Sequence, residues 1–206
     1  GLPSETDISV VTTLLSQTKA AIEQFAGPGK HDGYRDRWSA LLLRLVGDAQ
    51  PGSDNQLAFA RAYAATARTP EQTAVVRTWL EGGAPEGLVV DTDLRWTFLQ
   101  RLIAQGAADP AEIETELEHD DTATGRRQAA TAQALVPTMA AKEEAFAAAV
   151  ESDDLPNALL VATIAGFVHP DQSELHRAFL DRYFDAIPHV WATRTNETAQ
   201  TIVTGL

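Results

Sequence analysis

Five histidines, His31, His119, His169, His176 and His189, are the side chains best suited to hold a metal or move a proton near neutral pH. A zincin site needs His-Glu-x-x-His on one helix, so that two imidazoles at i and i+4 meet one ion beside a carboxylate base. No histidine here is followed by Glu, and no two lie four apart. His169 and His176 come nearest, but a proline and a helix-cap pattern intervene. Structural or surface roles are the better reading for all five. An independent enzyme built on His169, His176 and neighbouring carboxylates ranks last among the alternatives.

Nucleophiles are equally scarce. There is no Gly-x-Ser-x-Gly elbow, and the absence of cysteine removes thiol nucleophiles, disulfides and thiolate zinc sites together. Gly27-Pro28-Gly29-Lys30 lacks the Walker spacing, the Ser or Thr after Lys, and a preceding strand, so it reads as a turn. The acidic run Glu112, Glu114, Glu116, Glu118, Asp120 and Asp121 fails as a cation site. Alternate helix positions diverge by about 200°, which spreads carboxylates around a helix instead of gathering them. A solvated face fits better, with Arg126, Arg127 and Lys142 as partners across a helical stack.

Tryptophans 38, 79, 96 and 191 fall within apolar helical stripes, with core packing expected for most and a groove lining for one or two. Arg95 and Arg101, flanking Trp96, are the candidate peptide contacts, because a guanidinium can grip a carboxylate through two parallel hydrogen bonds. The commoner use of such residues is an intramolecular salt bridge. The residues thus predict no catalytic, cofactor-binding or metal-ligating side chain, and one pair of candidate contacts.

The elements that would position them are helices. Ile8, Val11, Leu15, Ile22 and Phe25 follow helical spacing up to the Gly27-Pro28-Gly29 turn. Trp38, Leu41, Leu42 and Leu45 mark a second helix, from about Tyr34 to Val46. Ser53 with Gln56, and Thr69 with Gln72, are capping-box patterns. Asp91 caps a run whose stripe includes Leu94, Phe98 and Leu102, and Gly106 closes it as a left-handed cap. Asp109-Pro110-Ala111-Glu112 restarts the chain, and Pro137 separates the next two helices. Further starts are expected near Asp121, Thr138, Asp154 and Asp171, with a break at Pro188 and a last helix from about Val190 to Val203. Leu88-Val89-Val90 is the one β-like run, too close to Asp91 to build a sheet.

Paired helices would recur about every 33 to 40 residues, the period of stacked helical hairpins. The expected fold is therefore all-α, a superhelical stack of antiparallel helix hairpins, HEAT-like in architecture only. A single domain spanning residues 1–206 is expected, with a subdomain seam at 82–90 where Gly and Pro concentrate.

Composition bounds the function. The 206 residues carry a net charge of −13, which argues against a nucleic-acid partner or an anionic membrane and suits cationic groups such as peptide amino termini. No apolar run is long enough for a transmembrane helix, and no signal-peptide pattern opens the chain. A cytoplasmic setting is expected. An apolar helix runs up to Thr204-Gly205-Leu206, and a solenoid end needs a polar outer face, so further helices are expected beyond it.

Three stretches in order carry a resemblance: DTDLRWTFLQRLIAQG from Asp91; ELEHDDTATGRRQAATAQALVPTMAAKEEAF to Phe146; and HPDQSELHRAFLDRYFDAIPHVWATRTNETAQTIVTGL from His169. Asp-x-x-Leu-Arg-Trp at Asp91 and Ala-x-x-Pro-x-x-x-x-Lys-x-x-x-Phe ending at Phe146 carry most of it. Together they resemble the C-terminal domain of the M1 zinc metallopeptidases, the aminopeptidase N type with its endoplasmic-reticulum relatives. The resemblance is clearest from Leu88 to Leu206. It implies a helical superhelix that closes over the active site of an upstream catalytic domain and bounds the peptide chamber. It places the zinc, the Gly-x-Met-Glu-Asn segment and the catalytic tyrosine in that upstream domain. Met139 is followed by Ala140, so none of these is carried over. Zinc is thus expected in the parent enzyme and no cofactor in this chain. The upstream domain and a peptide are the expected partners. A free-standing helical-repeat scaffold for a protein partner is the alternative reading.

Overall fold

The computed structural model describes residue 2 and residues 5–27 and 29–206; Pro28 of the expected turn lies outside the described residues. Among the described residues the chain is all-helical, with no strand. Leu88-Val89-Val90 stays irregular, with Leu88 buried and Val89 76% exposed. Contacts divide the chain into two units, Gly1–Arg101 and Leu102–Leu206. The 82–90 stretch lies inside the first.

The first unit contains α1 (Ile8–Phe25), α2 (His31–Asp48), α3 (Asp54–Thr66), α4 (Pro70–Leu80) and α5 (Thr92–Ala104) as far as Arg101. Capping chemistry sets the starts. Asp7 accepts from the Ser9 N–H, and Asp91 from the Leu94 N–H at 2.9 Å. Thr69 and Gln72 form the full reciprocal box, with Pro70 in the first turn where its missing N–H costs nothing. The α2 helix begins at His31, earlier than the stripe suggested, because its first turn is polar. Helix α2 packs along α3, and α1 lies against both. Tyr63, Trp79 and Phe98 make a ladder of tilted rings across α3, α4 and α5, with centroids 5.2 and 5.8 Å apart.

Gln56 departs from the expected box. Ser53 does accept from the Gln56 N–H, but the Gln56 amide is 2% exposed and turns inward. It accepts from the Gly52 N–H at 2.8 Å and donates to the carbonyls of Glu86 (3.0 Å) and Val46 (3.4 Å). One side chain thereby ties the α2–α3 turn to the loop before α5.

The second unit takes the end of α5, then α6 (Ala111–His119), α7 (Ala123–Leu135), α8 (Met139–Phe146), α9 (Asn157–Phe167), α10 (Ser173–His176), α11 (Leu180–Thr193) and α12 (Asn196–Gly205). A Schellman motif ends α5: Ala107 N–H bonds the Leu102 carbonyl, Gly106 N–H bonds that of Ile103, and Gly106 sits at φ +66°. Asp109 accepts from Ala111 N–H while Glu112 returns to the Asp109 N–H, both at 2.8 Å. The most intimate pairing is α7 with α9. A Cβ on Gly166 would stand 2.2 Å from the Thr131 carbonyl oxygen, so only glycine permits that approach. Phe146, Phe167 and Phe179 pack ring on ring in the core beside Ile164, Val190 and Ile202.

Four local expectations change. Helix α9 starts at Asn157, after Pro156, because the residue before a proline is pushed out of the helical region. His169, not Asp171, caps the next segment, its Nδ1 accepting from the Asp171 N–H at 3.3 Å. Pro188 lies inside α11 without ending it. Phe184, whose carbonyl loses its partner there, is exposed, so water can serve that oxygen. The last helix splits at Arg194, which is extended, and Thr195 recaps the chain by accepting from the Thr198 N–H.

Candidate functional site

The second unit carries an open groove of about 750 Å³. Alanines of α7 and α8 are the commonest residue in its wall, with Ile113 and Leu117 of α6 and Leu159 of α9. Small side chains on facing helices leave this volume unfilled. Glu114, Arg126, Gln133 and Glu144 line it with polar groups, and Gln133 donates to Glu114 at 3.1 Å. An apolar wall with a few polar side chains suits a bound chain. It offers no nucleophile–base pair.

Arg101 and Arg95 both serve the first unit. Arg101 is 7% exposed and its Nε donates to the Ala67 carbonyl, at the C-terminal end of α3, at 2.5 Å. Arg95 is half-buried, and its Nη1 donates to the Leu80 carbonyl at the end of α4, at 3.3 Å. Both guanidiniums thus answer helix C-termini, where a cation meets the negative end of the dipole.

Lys142 does the same in the second unit. It was expected to meet the acidic run. Instead it is 0% exposed, with Nζ donating to the carbonyls of Ala134 (2.5 Å), Phe167 (3.2 Å) and Gly166 (3.4 Å). These carbonyls close α7 and α9. Burial pushes its ammonium down to about 8. His176 stacks on Phe167 with centroids 5.1 Å apart. Its Nε2 is buried without a protein partner. Burial chiefly, and the Lys142 charge, hold this imidazole below its usual value, against the pull of a hydrogen bond to the Phe167 backbone.

The motif ending at Phe146 becomes legible in these contacts. Ala134 supplies the carbonyl, Pro137 the turn, Lys142 the bridging ammonium and Phe146 the core ring. The motif at Asp91 is likewise architectural: Asp91 caps, Leu94 and Trp96 are fully buried, and Arg95 holds the Leu80 carbonyl.

The acidic run divides. Asp121 pairs with Arg126 at 2.5 Å on the surface, while Glu116 (5% exposed) and Asp120 (9%) are buried. Asp120 accepts from the Thr122 hydroxyl at 2.8 Å. Arg127 meets Thr124 rather than a carboxylate. Tryptophans 38, 79 and 96 are core residues; Trp191 is 47% exposed. Among the described residues no three His, Asp or Glu side chains come together as a metal would need, so the residues present do not fit a zinc site. None of the described helices is long and apolar enough to cross a membrane.

Residue reasoning missed the groove, because an alanine-rich helix signals propensity and not the space beside it. It also missed Arg194, hidden inside one assumed helix. The Thr195-Asn196-Glu197-Thr198 run that follows was the available cap signal.

The described residues thus form an all-helical domain with a groove lined in part by alanines, and its buried Arg101 and Lys142 are bound to backbone carbonyls. The chain belongs to the ERAP1-like C-terminal domain family, whose model matches residues 1–206. It is 52% identical over 207 residues to a protein of Streptomyces lividans named aminopeptidase N. That match takes in 100% of this chain and 24% of the relative, so the chain spans about a quarter of the length of the curated relative it matches.

Proposed function

We propose that this chain is the non-catalytic lid and substrate-chamber domain of an M1-type zinc aminopeptidase, stacked as a helical superhelix over a catalytic domain in the same polypeptide. One observation carries the reading. The whole chain aligns with a quarter of an aminopeptidase N, yet its own described residues bring together no metal-holding group. The zinc and the bond-breaking groups then belong to the remaining three-quarters, and this part acts by shape and charge.

In this reading the alanine-walled groove takes apolar side chains of a peptide lying away from the reacting end, with Gln133 and Arg126 meeting its backbone or carboxylate. Arg95, with exposed surface left, is the better peptide contact of the two arginines, while Arg101 fixes the end of α3. A cytoplasmic location accords with the lack of cysteine.

The test is metal content and turnover on the purified chain. It should bind no stoichiometric zinc and leave aminoacyl chromogenic substrates intact. Zinc-dependent turnover by this chain alone would overturn the proposal.

A further inference from the structure

The chain between α9 and α11 is broken into short pieces. It runs through a 3₁₀ turn at Pro170–Gln172, the four-residue α10 and a second 3₁₀ turn at Arg177–Phe179. Pieces this short close few backbone hydrogen bonds of their own, so side chains must hold them down. Gln172 and Phe179, 5% and 2% exposed, anchor the two ends. Gln172 donates to the Ala104 and Leu135 carbonyls, and Phe179 packs against the Phe146 and Phe167 rings. None of the four residues of α10 is fully buried. Between the anchors the hold falls to His176, stacked on Phe167 with 25° between the ring planes.

That contact suits one protonation state. His176 Nε2 is buried with no protein partner, so the hydrogen bond to the Phe167 backbone belongs to the other ring nitrogen. In the neutral ring Nε2 is an idle acceptor. Protonated, it becomes a buried and charged donor with no protein group to receive it. The charge facing it has the same sign. Lys142 of α8 donates to the Phe167 carbonyl at 3.2 Å, with Nζ 5.5 Å from the centre of the Phe167 ring.

The other charged groups around the segment are engaged elsewhere or lie in water. Glu174 and Arg177 pair with each other at 3.1 Å on the surface, and Asp171 accepts from Gln105 at 3.1 Å. His169 turns Nδ1 to the Asp171 N–H. Arg182 of α11 pairs with Glu143 and Glu151, while Asp181 and Asp185 of the same helix are exposed. Glu144 of α8 lines the groove, and α9 carries no charged side chain.

We propose that His176 is an acid-sensitive latch: neutral, it closes residues 169–179 over the end of α9, and protonated, it releases that segment while α7, α8 and α9 keep their packing. Burial and the Lys142 charge hold the imidazole below its usual value of 6.5, so the open form takes up the proton more readily than the closed one. Closure is complete above 6.5 and is lost as pH falls through the lowered value. Lys142, pushed down only to about 8, stays charged across that window. Release bares the Phe167 ring and unties Gln172 from the ends of α5 and α7, so a junction of three helices loosens with acid. The latch does not depend on the aminopeptidase reading.

Hydrogen exchange of the full chain, followed amide by amide and corrected for the intrinsic rate, tests it between about pH 7.5 and about pH 5. Amides of residues 172–179 should lose protection severalfold, while those of α7 and α9 keep theirs. The His176 Hε1 resonance should titrate below 6.5. His176→Phe keeps a ring on Phe167 and removes the titrating group, so protection of this segment should become independent of pH. Unchanged protection of 172–179, equal losses in α7 and α9, a His176 midpoint at or above 6.5, or the same pH response in His176→Phe would each overturn the latch. The wild-type titration keeps the test decisive should His176→Phe disturb the fold.

Discussion

The two units solve one problem with different cations. In each, helix C-termini are buried together and their carbonyls need donors. The first unit uses Arg101 on Ala67, and the second uses Lys142 on Ala134, Gly166 and Phe167. Each also spends a buried glutamine in the same way. Gln56 bridges Val46 and Glu86, and Gln172 bridges Ala104 (3.0 Å) and Leu135 (2.8 Å). The difference lies in titration. Arginine keeps its charge at any relevant pH, whereas a buried lysine does not. The first unit also has a carboxylate among its cations: Glu23 meets Arg35 and Arg68 and is held below its usual value, chiefly by the Arg35 hydrogen bond. Lys142 is surrounded by carbonyls and the Phe167 ring. The comparison teaches that Arg101 and Lys142 are fasteners for helix ends, and that the fastener in the second unit is sensitive to pH.

The largest effect should come from breaking that fastener. Lys142→Met leaves three carbonyls without their donor and should cost about 3 kcal/mol in urea unfolding of the second unit. The same variant sharpens the titration difference. The Lys142 pKa is depressed to about 8 from 10.5, so the unfolded chain binds more protons between those values and stability from this group rises with pH across them. Wild type should therefore gain stability relative to Lys142→Met between about pH 8 and 10.5, and a flat difference would contradict the buried ammonium. His176 has the same sign lower down. Its contribution is complete above 6.5 and is lost as pH falls through its lowered value.

Gly166→Ala should rank next, at about 2 kcal/mol, because the new methyl meets the Thr131 carbonyl and α7 must move from α9. Gln172→Leu and Gln56→Leu should each cost about 1–2 kcal/mol, and their near equality would support the parallel between the units. Thr69→Ala, which removes half of an α4 capping box, should cost about 1 kcal/mol, read by thermal or urea unfolding.

Much of the fold was legible because caps are local. Thr69-Pro70-x-Gln72, Asp91 and Gly106 each act on backbone within a few residues, and each behaves as its type dictates. What escaped depends on distant partners. Lys142 looks like a surface residue until α7 and α9 bring their carbonyls to it. The π turn after Phe146 has no composition signal, and Pro188 lies inside α11 without ending it. Residues 88–206 carried the resemblance, and their motifs mark how the domain is built; what any of them touches in a ligand was not written in their spacing.

The central claim is that this chain shapes access to chemistry performed elsewhere. Its most direct test is a length-dependent kinetic split in the complete polypeptide that the proposal places around this chain. Ala140, exposed and lining the alanine-walled groove, is replaced by tryptophan to fill it. The account predicts a severalfold higher KM for a ten-residue apolar peptide, with kcat and KM unchanged for an aminoacyl chromogenic substrate too short to reach the groove. Equal losses on both substrates, or no change on either, would contradict it.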